Sequence, residues 1–229
     1  MRTENVIISG FTAAGKTTHS HLLAGEFGLQ YISPSQIFLS MLGKSPIQPR
    51  EFWVTDEAKS LWSEPQAKRV DCELLTLEET VRAAVFDSME MSMLHRREAF
   101  KIWLESSIES RVMKALVSHR RQAILTSSEL QTRLDLKDHL ARRRLKQSWG
   151  LDLPLDYSGF DLVLDITACI KAPTLMDSFH SVEQVQTLIR PAVGWFLTRD
   201  SDFRSQFQLA SRAHTAVKVI RCPGDLTVE

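Results

Sequence analysis

The sequence predicts an α/β fold: a parallel sheet covered by helices on both faces, with a phosphate-binding loop after its first strand. Three observations carry this. Val6-Ile7-Ile8 is a short β-branched run, bounded by Ser9-Gly10, and reads as a buried strand. It leads into Gly10-Phe11-Thr12-Ala13-Ala14-Gly15-Lys16-Thr17, which fits the pattern G-x-x-x-x-G-K-[ST] and is followed by helical spacing of Leu22, Leu23 and Phe27. Further apolar runs at 83–87, 100–104 and 160–166 then alternate with stretches of helical periodicity. Such alternation gives parallel strands joined by crossover helices, with ligands at the carboxyl ends of the strands.

The loop explains its own residue types. Gly10 and Gly15 permit backbone angles that a side chain would forbid, so the N–H groups of 10–18 can turn inward around a phosphate chain. The helix N-terminus adds the positive end of its dipole. Lys16 supplies a mobile cation for β- and γ-phosphates, and the Thr17 hydroxyl suits Mg²⁺. The candidate nucleotide-binding set is therefore Gly10, Thr12, Ala13, Ala14, Gly15, Lys16, Thr17 and Thr18, with Thr17 as the metal-binding residue.

Along the rest of the chain, residues 28–32 predict a second strand and 34–42 a short helix. Turn chemistry fills 43–49. A helix is expected over 51–68, carrying Phe52, Trp53, Leu61 and Trp62 and ended or kinked at Pro65, then another over 71–82. After the strand at 83–87 come a strand at 100–104, a helix over 107–119 and a long helix over 130–149 with Arg142-Arg143-Arg144. A strand at 160–166 precedes a helix over 181–196 that Pro191 should break or kink. Residues 198–229 show only a possible edge strand at 216–220.

Lys+Arg and Asp+Glu are both 28, a balance that argues against a protein coating nucleic acid. Cys72, Cys169 and Cys222 are too scattered for a disulfide framework or a zinc site, which points to a reducing compartment. No stretch approaches the ~18 apolar residues of a membrane helix, and the first residues lack a signal-peptide core. The expectation is a cytoplasmic protein acting on a small molecule, with neither a nucleic-acid nor a membrane partner.

Asp87 closes a buried strand beside the loop, where it can serve a Mg²⁺ shell or a substrate hydroxyl; the plain alternative is a cap on the next turn. Lys137, Asp138, Arg142, Arg143 and Arg144 form a basic cluster on one helix. Lys137 and Arg144, seven apart, share a face, and Arg142 and Arg143 point elsewhere. Arginines stabilise the charge on a transferring phosphoryl group, although such runs are also ordinary solvated helix faces. His19 and His21 read as packing or surface residues, Trp103 as core, and Trp53 and Trp62 as possible base-stacking residues in a substrate-covering segment.

Here the sequence resembles a family, the cytidylate kinase branch of the nucleoside monophosphate kinases, especially its compact archaeal-type members. The resemblance rests on the loop, on "FKIWLESSIESRVMKAL" and on "KDHLARRRLKQSWGLDLPLDYSGFDLVLDIT", in which Trp149-Gly150-Leu151-Asp152 resembles the family's "YGID" turn. "SVEQV" at 181–185 resembles its last helix. The likeness spans roughly 4–190, with an insertion near 169–180. It implies a P-loop kinase fold with ATP and Mg²⁺ and a nucleoside monophosphate acceptor. It makes Lys16, Asp87, Arg142 and Arg144 the candidate catalytic residues, and Ser35, Asp87, Lys137 and Asp138 the candidate acceptor-binding ones. It also implies a kinase domain at 1–197, with an acceptor-binding insertion at about 34–82, a lid at about 119–149, and a C-terminal extension, 198–229, packed on the core.

Two departures concern the acceptor. The family usually has Asp-Ile-Phe-Arg after the second strand, where this chain has Gln36-Ile37-Phe38-Leu39. It often has Asp-Gly-Arg after the third, where this chain has Asp87-Ser88-Met89. Neither Leu nor Met reproduces a bidentate arginine contact to phosphate. The expected acceptor is therefore CMP or a modified relative, or, on the same scaffold, the hydroxyl of a nucleoside or specialised metabolite. A nucleotide-binding regulator with little turnover is the third reading, opposed by the intact Lys16, Thr17, Asp87 and Arg144.

Overall fold

The computed structural model describes residues 4–44, 63–119, 125–153 and 157–227. Six strands, β1 (Asn5–Gly10), β2 (Gln30–Ile32), β3 (Ala84–Asp87), β4 (Ala99–Glu105), β5 (Leu162–Asp165) and β6 (Lys218–Arg221), form one sheet in the order β2-β3-β1-β4-β5-β6. The first five in that order are mutually parallel, and β6 closes the edge antiparallel to β5. This is the parallel, helix-flanked sheet expected from the alternating pattern.

Helices α1 (Lys16–Phe27), α2 (Pro34–Met41), α3 (Glu64–Thr80), α4 (Met91–Leu94), α5 (Ile108–His119), α6 (Ser127–Trp149), α7 (Leu175–Thr198) and α8 (Ser201–Ala213) cover it. Strand side chains alternate between faces. Val6 and Ile8 of β1, Phe100, Ile102 and Leu104 of β4, and Leu162 and Leu164 of β5 pack with α7 residues such as Leu188 and Ala192. Ile7 packs on the opposite face with Phe38, Leu74 and Phe86. Trp103, fully buried as expected, meets Phe11 edge-on at 5.4 Å and Phe160 at 5.3 Å. The base of the phosphate loop is thus anchored in the core.

Several expectations need correction. Pro65 starts a helix: it sits in the first turn of α3, where its missing N–H breaks no bond, and Gln66 Oε1 accepts from Ser63 N at 2.9 Å. The two helices expected around it are, within the described residues, the single helix α3. Residues 51–62, with Trp53 and Trp62, lie outside the described residues. Pro191 does not break α7, which runs 24 residues through it. The loss of one backbone bond is outweighed there by a buried face including Leu188, Ile189, Ala192 and Val193.

The chain after 198 is more ordered than its pattern suggested. Asp200 caps α8 through Asp202 N at 2.9 Å, and Phe207 is buried in the main core. The close approach of α8 depends on Gly194. A Cβ there would lie 2.6 Å from the Phe203 ring. Gly194→Ala should therefore destabilise the protein by ~1–3 kcal/mol through overpacking, read as a lower urea midpoint in far-UV circular dichroism. A midpoint equal to that of the unmutated protein would show that Phe203 yields freely.

Candidate active site

The loop lies at the carboxyl end of β1, the central strand of the five parallel ones. Three of its residues adopt positive φ: Gly10 at 148°, Ala13 at 64° and Gly15 at 105°. Gly10 is also required by space, since a Cβ would meet the Leu104 carbonyl oxygen at 2.7 Å. Ala14 is buried, and its N–H donates to the Phe11 carbonyl at 3.2 Å. Lys16 Nζ donates to the same carbonyl at 3.1 Å, folding the cation back onto the loop. Burial lowers the Lys16 ammonium below its usual value, against the opposing charges of Asp87, Glu90 and Asp138.

Asp87 is brought to the loop by parallel register, since it lies opposite Ile8. Its Oδ2 accepts from the Thr17 hydroxyl at 2.6 Å and from the Tyr31 hydroxyl at 2.9 Å. Burial and then the Asp87 charge raise the Tyr31 phenol, so it remains a donor. A hydroxyl and a carboxylate converging in this way are hard oxygen donors. Mg²⁺ prefers one or two such ligands together with phosphates and waters, and Thr17 and Asp87 fit that demand.

Helix α6 lies across the mouth of the site. Asp138 is buried on it and accepts from the Thr12 N–H through Oδ1 at 3.1 Å. Arg111 of α5 donates to Asp138 Oδ2 at 2.5 Å and to the Thr12 carbonyl at 3.1 Å. Asp138, expected with the acceptor, thus sits on the phosphate loop. Lys137 adjoins it; the protein around it, and next the Lys16 charge, lower its ammonium. Arg142, expected to point away, places its guanidinium over the Phe11 ring at 4.6 Å. Thr18 and Ser35 occupy the first turns of α1 and α2, and Ser33 caps α2 through Gln36 N at 3.3 Å.

Arg144 faces the other way along α6. Nη1 donates to Asp71 of α3 at 2.5 Å and Nη2 to Glu90, beyond β3. Trp149 Nε1 donates to the same Asp71 oxygen at 3.0 Å, and Ser88 Oγ donates to Glu90 Oε2 at 3.0 Å. Burial and the Glu90 charge push the Asp71 carboxyl up to about 6, although Arg144 pulls it down. Leu39 and Met89, which replace the two expected arginines, are both buried: Leu39 with Phe38 and Leu74, Met89 with Phe11 and Trp103.

No family model matches the chain. It is 27% identical over 161 residues to a cytidylate kinase of Sulfurisphaera tokodaii, covering 70% of this chain and 84% of that protein. It is 25% identical over 170 residues to one of Methanosarcina mazei, covering 70% and 86%. The chain is a P-loop kinase, similar in sequence to cytidylate kinases. Among solved structures, a shikimate kinase from Bacteroides thetaiotaomicron overlays with 12% identity and a TM-score of 0.43, covering 82% of this chain and 99% of that one. A shikimate kinase from Acinetobacter baumannii in complex with shikimate overlays with 13% identity and a TM-score of 0.44, covering 82% and 94%. Both likenesses are too loose to add to what the sheet order shows.

Around the candidate site stand three residues that the sequence pattern did not single out: Arg111, Asp71 and Glu90. Their one local signal is a charged residue on a helix face or strand end otherwise built to be buried. Ser110 and Arg111, for example, are buried beside Val112. Among the described residues, no helix is long and apolar enough to cross a membrane.

Proposed function

We propose that this kinase transfers the γ-phosphate of ATP to an oxygen of a small nucleotide- or nucleoside-like acceptor lying between the loop, the end of β3 and helix α6. The observation that carries this reading is the convergence of Lys16, Thr17 and Asp87, with the Thr17 hydroxyl 2.6 Å from the carboxylate, on a loop of positive-φ backbone. The loop N–H groups and Lys16 hold the donor phosphates, and Thr17 and Asp87 hold Mg²⁺. When bound, Mg²⁺ neutralises charge on the β- and γ-phosphates. Arg142, next to Phe11, is placed to approach the transferring group. The acceptor oxygen forms a bond to the γ-phosphorus as the bond to the bridging oxygen breaks, and ADP leaves with that electron pair. The chemistry is mostly positioning and charge stabilisation.

The cytidylate kinase relatives favour CMP or a modified form of it as acceptor. A second reading, a phosphate-free hydroxyl, is favoured by the burial of Leu39 and Met89 in apolar clusters. Under either reading the kinase domain covers 1–197, with an acceptor insertion at about 34–82 and a lid at about 119–149, in a cytoplasmic protein. The test is ADP release with Mg²⁺·ATP against CMP, dCMP, UMP, AMP and the free nucleosides. Acceptor-dependent release with any of them is the expected result. ATP that fails to bind overturns the kinase reading of the site.

A further inference from the structure

One side-chain carboxylate stands where the loop is built to grip an anion. Asp138, carried on α6 and 5% exposed, accepts from the Thr12 N–H through Oδ1 at 3.1 Å. Its Oδ2 accepts from Arg111 Nη1 at 2.5 Å, and the same Nη1 donates to the Thr12 carbonyl at 3.1 Å. Burial lowers both the Lys16 and the Lys137 ammonium, and in each the Asp138 charge is among those that oppose the shift, with Asp87 and Glu90. A loop N–H, a guanidinium and two ammonium groups therefore stand around one carboxylate. Those are the partners that phosphate oxygens take, and carboxylates occupy the same kind of site. Arg111 is buried, and among the described residues its Nε has no hydrogen-bond partner. One carboxylate oxygen thus leaves the guanidinium fork partly unused, whereas a phosphate group presents three oxygens. The Thr12 N–H has a single hydrogen, for which Asp138 and a phosphate oxygen compete. The contest is for one N–H and one guanidinium; cations elsewhere, such as Arg120 and Arg121 outside the described residues, do not enter it.

We infer that Asp138 is an autoinhibitory carboxylate: it holds a phosphate position of the loop, and an incoming nucleoside triphosphate displaces it, takes the Thr12 N–H and the Arg111 guanidinium, and moves α6 off the loop. This rests on the loop being a donor-phosphate site, the reading proposed above. Donor binding and the seat of α6 then form one linked equilibrium. Helix α6 also carries Lys137, Arg142 and Arg144, so displacing Asp138 is the step by which the donor re-aims these cations. While the contact is closed, the loop is one donor short. The apparent affinity for the donor is lowered by the fraction of molecules in which the contact is open.

The test titrates a Mg²⁺-bound, non-hydrolysable ATP analogue into the full unmutated chain and into Asp138→Asn. Asparagine keeps an oxygen for the Thr12 N–H but gives up the charge that Arg111 pairs with, so the contact opens more often. The analogue should bind the variant about tenfold more tightly. A residue that only supported the loop would give weaker binding when changed. In the unmutated protein, carbodiimide labelling of Asp138, read by mass spectrometry, should rise severalfold when the analogue is added, because displacement carries a buried carboxylate into water. Equal or weaker binding by a folded Asp138→Asn overturns the inference, as does labelling that stays level or falls. If Asp138→Asn does not fold, the labelling of the unmutated protein decides. An analogue that binds neither protein is a separate result, and it overturns the kinase reading of the loop.

Discussion

Lys16→Ala should lower turnover by about 10³-fold or more while the protein stays folded. The size follows from removing the one mobile cation of the loop from a site where charge stabilisation is most of the catalysis. The fold should survive because the Lys16 ammonium bonds a loop carbonyl, that of Phe11, at 3.1 Å, and burial already disfavours its charged form. Stability should remain within about 1 kcal/mol of the unmutated protein. Steady-state ADP release beside thermal unfolding separates the two effects. Turnover preserved in this variant would remove Lys16 from the catalytic set.

The largest stability effect should come from Arg111→Met. Arg111 and Asp138 are 8% and 7% exposed in their side chains and 2.5 Å apart. Removing the guanidinium leaves a buried carboxylate that keeps its bond from the Thr12 N–H but has lost its paired charge. Breaking one side of such a pair costs about 3–5 kcal/mol, whereas replacing both partners by apolar groups costs far less. Urea unfolding of Arg111→Met, Asp138→Leu and the double variant should therefore show strong non-additivity, with the double variant recovering much of the loss. Additive losses would mean that the two residues act independently. The Thr12 carbonyl and N–H are both held by this pair, so ATP binding should weaken in Arg111→Met as well.

How much was legible in the sequence follows from the range of the interactions. The phosphate loop was readable because its requirements lie within eight residues: two glycines, a cation and a hydroxyl at fixed spacing. The strands were readable as apolar runs because a parallel sheet buried on both faces leaves little freedom of composition. Asp87 was readable as a strand-terminal carboxylate, and the parallel register of β3 with β1 then set it beside Thr17. Helix α8 was legible too, since Phe203, Phe207 and Ala210 stand at helical spacing after the capping Asp200; only its seat against Gly194 and the core needed the fold. Pro65 was expected to end or kink a helix and starts one, and Pro191 was expected to break or kink a helix that continues through it. A proline's effect depends on whether its missing N–H falls in a first turn or is outweighed by packing, and neither is visible locally.

The sequence by itself determined the chemistry of the donor side, because phosphate binding there is a local property of one turn and one helix end. Only the tertiary structure decided where the charges of α6 go. Arg144 and Asp71 are 73 residues apart, Arg144 and Glu90 54, and Thr12 and Asp138 126. Whether the helix arginine points at a phosphate or at two carboxylates depends on how α6 packs against α3 and the end of β3. Charge interactions of that kind are set by distance and burial in the folded chain, which spacing along the sequence does not encode.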